Sequence, residues 1–140
     1  MANGILKGKK GIIFGALDDK SIAWKVAEFA HKEGAEIVLT NAPIALRMGT
    51  INELAEKTNS IVIPADATSI EDLTNLYEKS MEHLGGKIDF VLHSIGMSVN
   101  VRKGKAYYEQ NYDWTQKGMD VSATSFHKTI KAVIQSSVPE

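Results

Sequence analysis

Gly15, Ser21 and Ile22 stand in IIFGALDDKSIAW (12–24), an apolar run that breaks at one glycine and restarts as an amphipathic helix. A glycine ending a strand lets an anion approach the backbone, because no Cβ intervenes. The first turn of the following helix has free N–H groups and the positive end of its dipole, which together favour a phosphate. The Ser21 hydroxyl can add a hydrogen bond. Asp66 and Ala67, in PADATS (64–69), offer a carboxylate that can accept from the exocyclic amine of a purine, with the Ala67 N–H as donor to the ring. Ser94, Ile95 and Gly96 end the apolar run DFVLHSIG (89–96), where main chain can line a ribose. Taken singly, each has a plainer reading: a turn glycine, a capping serine, a turn aspartate, a strand-to-loop turn. They gain force only if the fold brings them to one place.

Other chemistry is thinly represented. The chain has no cysteine, so disulfides, thiolate metal sites and thiol nucleophiles are excluded. His31, His83 and His127 fall on helical patterns far apart, without metal-ligand spacing. His93 lies in an apolar run and reads as a packed histidine. Arg102, Lys103 and Lys105 form a short basic cluster that reads first as a solvated loop. A net charge of −1 argues against nucleic acid as a partner. No segment approaches the roughly 20 apolar residues that span a bilayer. The apolar run at 11–16 is too short for a signal peptide. The expectation is a cytoplasmic protein with no membrane partner.

Elements able to position these residues alternate along the chain. Strands are expected at 11–15, 36–40, 60–66 and 87–96. Helices between them carry Ile22, Val26, Phe29 and Ala30, then Ile51, Leu54 and Ala55, then Ile70, Leu73, Leu76, Tyr77, Met81 and Leu84. Thr68 and Glu71 have the spacing of a capping box, and Gly85 suits a left-handed helix end. A polar, aromatic-bearing loop (97–114) leads to a last helix with Met119, Ala123, Phe126, Ile130 and Val133 on one face. The tail IQSSVPE (134–140) does not read as another strand.

Alternating strands and helices with short turns imply parallel βαβ units. The fold class is therefore α/β: a Rossmann-like, doubly wound parallel sheet of about four strands in the order 3-2-1-4, with flanking helices. Such sheets usually have about six strands, and their ligands sit beyond the strands' carboxyl ends. Residues 1–140 read as a single dinucleotide-binding domain, an incomplete version of that fold. Gly15–Ile22, Thr40–Ala42, Asp66–Ala67 and Ser94–Ser98 would converge at the carboxyl edge.

GALDDKSIAW, PADATS and above all DFVLHSIG resemble the enoyl-acyl-carrier-protein reductases of bacterial fatty-acid synthesis, members of the short-chain dehydrogenase superfamily. The pattern of Gly15 followed by Ser21, Ile22 and Ala23 is similar to that family's replacement for a three-glycine loop. WTQKGMDVSATSFHKTIKA (114–132) resembles its helix after the fourth strand, so the resemblance runs over about residues 8–132. It implies NADH, with NADPH possible, touched by Gly15, Ser21, Ile22, Asp66, Ala67, Ser94, Ile95 and Gly96. It also implies an enoyl thioester on acyl carrier protein as substrate, and a homo-oligomer, a tetramer in the family. Met97 and Ser98 could border the acyl pocket.

The chain departs from the family in two respects. LTNAP (39–43) lacks the Tyr-Gln often found after the second strand, and no acidic residue stands there to hold a ribose 2′-hydroxyl. Arg47 either meets a 2′-phosphate or is solvated. The family's catalytic tyrosine and lysine lie on the helix after a fifth strand. None of Tyr77, Tyr107, Tyr108 and Tyr112 has a lysine four or seven residues downstream. No catalytic or metal residue is therefore assigned, and the 140 residues alone are expected to be inactive. The alternatives are a fragment of another short-chain dehydrogenase or a non-enzymatic nucleotide-binding module. A ketoacyl reductase fits poorly, because HSIG stands where Asn-Ala-Gly would.

Overall fold

The structure, a computed structural model, describes residues 2–137. In chain order the elements are β1 (Lys10–Phe14), α1 (Ile22–Lys32), β2 (Glu36–Thr40), α2 (Pro43–Leu46), α3 (Ile51–Lys57), β3 (Ile61–Val62), α4 (Ile70–Leu84), β4 (Phe90–His93) and α5 (Val99–Arg102). A 3₁₀ turn (Tyr107–Glu109) leads to α6 (Tyr112–Met119), a π-helical turn (Asp120–Thr124) and α7 (Ser125–Ser137). The strands form one parallel sheet in the order β3-β2-β1-β4, as the alternation of elements predicts. Ile12 sits opposite Val38 on one side and Val91 on the other, in the middle of the sheet.

Side chains alternate across the sheet with a period of two, and this divides the core between its faces. Ile13, Ile37 and Leu39 pack with Trp24 and Ala27 of α1 and with Ile51 and Leu54 of α3. Ile12, Phe14 and Val38 face the other way, against Leu73, Leu76 and Tyr77 of α4 and Ala132 of α7. Each fully buried isoleucine or leucine contributes about 1.5–3 kcal/mol. β1 and β2, covered on both faces, are therefore the best anchored part of the molecule.

Several local expectations need correction. The buried face of α1 is Ala23, Trp24, Ala27 and Ala30, whereas Ile22 and Phe29 are exposed. Alanines at three positions of one face let the helix axis approach the sheet, and Trp24 fills the space beside them. In α7, Ser125, Thr129 and Ala132 are buried while Phe126 and Ile130 remain exposed, as does Met119 at the end of α6. α7 packs against α4, with the small Ala132 in their shared core. Phe126 and Ile130 face a groove along β4 with Val91 and His93. α4 is capped one residue later than its spacing suggests, by Ser69 accepting from the Asp72 N–H at 3.2 Å. β3 is only two residues long, and the loop after β4 contains α5 and the 3₁₀ turn. Gly85 does take the left-handed conformation at the end of α4. Residues 134–137 of the tail continue α7, and the last three lie outside the described residues.

Candidate functional site

Parallel strands place all their carboxyl ends on one edge, and there the chain segments that follow them are joined. The Gly15 N–H donates to the Thr40 carbonyl (3.1 Å) and the Ala65 N–H to the Asn41 carbonyl (3.1 Å). Gly15 has φ +94°, and its Cα faces the Ser94 backbone so closely that a Cβ would overlap the carbonyl. The four stretches singled out in the sequence therefore do lie along one edge.

The loop from Gly15 to α1 is tied down by its own residues. The Ser21 hydroxyl donates to the Asp18 carbonyl (2.6 Å) and accepts the Leu17 N–H (3.2 Å). It thus closes the loop, and it makes no side-chain capping bond to α1. Asn41 bridges two loops: its Nδ2 donates to the Ala16 carbonyl (2.9 Å), while Oδ1 accepts the Ala42 N–H (2.9 Å). The Thr50 N–H holds the Leu17 carbonyl at 2.8 Å. With the loop ordered, the first turn of α1 presents its N–H groups beside an exposed Ile22, an arrangement suited to an anion.

Asp66 is exposed and oriented by its neighbour. Its Oδ1 accepts both the backbone N–H (2.9 Å) and the hydroxyl (2.7 Å) of Thr68, which leaves Oδ2 free to accept from a ligand. The Thr68 N–H holds the Asp66 carboxyl below the usual carboxylate range, aided by the Thr68 hydroxyl and by Lys117 and Lys128, while partial burial opposes the shift. Asp72 Oδ2 accepts the Asp66 N–H (2.9 Å) and so links the turn to α4. Among the described residues, no acceptor takes the N–H of Ala67. A carboxylate acceptor next to a free N–H donor matches the edge of an adenine.

Met97, which follows Ser94–Gly96, is held by the π turn. Ser122 Oγ accepts the Met97 N–H (3.0 Å) and lies 3.2 Å from the Met97 carbonyl, to which it can donate. A π turn inside a helix commonly marks a functional position, and this one faces the carboxyl edge. His93 is half-buried between the rings of Phe14 (6.3 Å) and Phe126 (5.5 Å). Its Nε2 lies 2.8 Å from Ser125 Oγ. Because Ser125 places its one hydroxyl proton on the Val121 carbonyl (2.7 Å), the ring donates from Nε2. Burial lowers the His93 pKa.

Asn41, Ser122, Ser125 and Lys128 escaped the sequence reading. For the two serines a signal was present, since polar residues three apart interrupt the apolar face expected of the last helix. Arg102, Lys103 and Lys105 are exposed at and after α5, and Arg47 is exposed at the end of α2. A cleft of about 460 Å³ lies at the opposite edge, lined by His31, Glu36, Thr58, Ser60 and His83. The strands begin there, whereas ligands of parallel α/β sheets bind where strands end. The described residues contain no group of three or more acidic, histidine or cysteine side chains able to hold a metal, and no helix long and apolar enough to cross a membrane.

Sheet order and edge geometry define the class as a Rossmann-like, doubly wound α/β fold. Comparison with known proteins narrows it: residues 15–139 match the enoyl-(acyl carrier protein) reductase family, and the chain belongs to it. It is 32% identical over 126 residues to enoyl-[acyl-carrier-protein] reductase [NADH] 1 of Rhizobium meliloti (strain 1021), covering 89% of this chain and 46% of that protein. Its backbone is similar to the FabI–NADH complex from Alistipes finegoldii (TM-score 0.92, 64% identity, 94% of this chain, 47% of that one). It is also similar to the Bacillus cereus enoyl-acyl carrier protein reductase solved with NADP⁺ and indole naphthyridinone (TM-score 0.83, 27% identity, 97% of this chain, 52% of that one). The chain spans about half the length of the relatives it matches.

Proposed function

We propose that this chain is the cofactor-binding part of an NADH-dependent enoyl reductase acting on enoyl thioesters of acyl carrier protein, in an enzyme that is a homo-oligomer. The observation that carries the cofactor assignment is the pairing of a free carboxylate oxygen on Asp66 with the free N–H of Ala67, beside the ordered Gly15–Ser21 loop. Family membership supports the reaction. The naming of the Rhizobium relative for NADH, and the NADH complex of the 64%-identical structure, favour NADH over NADPH.

In this reading Asp66 accepts from the adenine amine while the Ala67 N–H donates to the ring. The first turn of α1, at Ser21 and Ile22, receives the pyrophosphate, with Gly15 leaving the approach clear. Ser94, Ile95 and Gly96 line the ribose and nicotinamide side, and Ser122 holds the backbone of Met97 just after them. Bound NADH supplies a hydride to the thioester β-carbon. The chain's own residues bind and orient the cofactor but offer no tyrosine–lysine pair to act on the substrate carbonyl.

Titration calorimetry with NADH and with ADP-ribose tests the assignment. Both ligands are expected to bind with similar affinity, because most of the contacts fall on the adenosine half. The Asp66→Ala, Ser21→Ala double variant is expected to lose most of the heat. Equal heats from the double variant and the parent chain would overturn the site.

A further inference from the structure

Lys128, on α7, reaches back to two groups, one eight residues and the other 60 residues before it in sequence. Its Nζ lies 2.7 Å from Asp120 Oδ1 and donates to the Thr68 carbonyl at 3.0 Å. The first partner opens the π turn, and the second belongs to the residue that orients Asp66. A continuous line of polar contacts therefore runs from Asp120 through Lys128 and Thr68 to the Asp66 carboxylate.

The π turn accounts for the first contact. Eight residues of ordinary α-helix make about 2.2 turns, which would set Asp120 and Lys128 about 80° apart around the axis. The wider π turn between them rotates the helix back, so that both meet on one side. A half-exposed ion pair alone contributes little to stability. The bond to the Thr68 carbonyl is different in kind: Ala65 before the turn is held by the Asn41 carbonyl and Ala67 by the core, but among the described residues the other hydrogen bonds of Asp66 and Thr68 are short-range, within the turn or to Asp72 and Ser69.

We propose that Lys128 is a positioning residue for purine recognition, holding the Asp66–Thr68 turn against α7 so that Asp66 presents Oδ2 to an exocyclic amine. The proposal rests on the cofactor site described above and adds a residue to it. Lys128 touches no ligand and acts through Thr68. Without its bond the Thr68 end of the turn loses its one long-range hydrogen bond among the described residues, and the carboxylate that Thr68 orients loses its fixed direction more than its charge.

The test compares NADH with reduced nicotinamide hypoxanthine dinucleotide, which carries a carbonyl where adenine carries its amine. The parent chain is expected to prefer NADH by about tenfold, the range of a hydrogen bond to a charged group. Lys128→Met is expected to keep its fold and the weaker binding of the hypoxanthine analogue, with most of the preference lost. Lys128→Arg is expected to retain the preference. Asp120→Asn, which frees the lysine from its counter-charge, is expected to lie between. An unchanged preference in Lys128→Met and Asp120→Asn would overturn the role of Lys128 while leaving the site intact. Failure of the parent chain to bind either dinucleotide would overturn the site itself, and the proposal with it.

Discussion

Gly15 and Ser94 meet backbone to backbone where β1 and β4 end, and a Cβ on Gly15 would lie 2.8 Å from the Ser94 carbonyl carbon. Gly15 also has φ +94°, a conformation L side chains rarely adopt. One glycine thus serves two purposes: it turns the chain out of β1 and lets it lie against the segment that follows β4. Gly15→Ala is expected to destabilise the chain by about 1–3 kcal/mol for the backbone conformation, plus the cost of the clash. Gly85→Ala is the matched control, since Gly85 also has positive φ (+67°) but open space around it. Its expected cost is about 1–2 kcal/mol, from the left-handed backbone alone. Equal losses of the urea midpoint in the two variants would show that contact with Ser94 carries no weight.

Tyr77 poses a different question, because its ring is in the core and its hydroxyl has no hydrogen-bond partner among the described residues. Burial raises the phenol pKa well above its ordinary value. A buried, unpaired hydroxyl costs more than it returns. Tyr77→Phe is therefore expected to hold stability level or raise it by about 1 kcal/mol, measured by urea denaturation. A clear loss would mean that the hydroxyl has a partner in solution.

The sheet was legible in the sequence because its strands are near-continuous apolar runs separated by helical periodicity. Their order then followed from the usual arrangement of doubly wound sheets, 3-2-1-4. Helix faces were less legible. In α1 and α7 the eye goes to Phe29 and Phe126, but close packing selects alanine, serine and threonine, whose small side chains allow the approach. The candidate site was legible as far as its place goes, because Gly15, Asp66 and the end of β4 do lie along one edge of the sheet. The residues that hold it were not. Asn41, Ser122 and Lys128 act through bonds to backbone atoms 25 to 60 residues away, and no local pattern encodes such a distance.

His93 gives a pH dependence with a definite sign. Burial holds its pKa below the ordinary imidazole value, so the folded chain favours the neutral ring that donates to Ser125. Below about pH 6.5 the unfolded chain binds the extra proton first. Stability is expected to be full above that pH and to decline as pH falls through the folded-state pKa. Asp66, also depressed, adds a loss only at lower pH, in the carboxylate range. Urea midpoints at pH 7.5 and 5.5 are expected to differ in the parent chain and to converge in His93→Gln. An equal pH slope in both proteins would assign the effect elsewhere.

Turnover by these 140 residues is expected to be absent. Hydride transfer to the β-carbon of an enoyl thioester builds negative charge on the carbonyl oxygen, which must be met by a positioned donor. One such donor supplies about 2.7–4 kcal/mol, a hundredfold to a thousandfold in rate. Tyr77 is buried in the core and cannot serve. Tyr107, Tyr108 and Tyr112 follow β4 and are 92%, 87% and 82% exposed. Their hydroxyls stand in water, where a hydrogen bond to the oxygen competes with solvent and nothing fixes its direction. None has a lysine four or seven residues on. With crotonyl thioesters, NADH absorbance is therefore expected to decay no faster than without protein, even where calorimetry shows NADH bound. Turnover that persists in the purified 140-residue chain and falls in Tyr107→Phe or Tyr108→Phe would place the missing donor in that loop and overturn the division of labour proposed for this half of the fold.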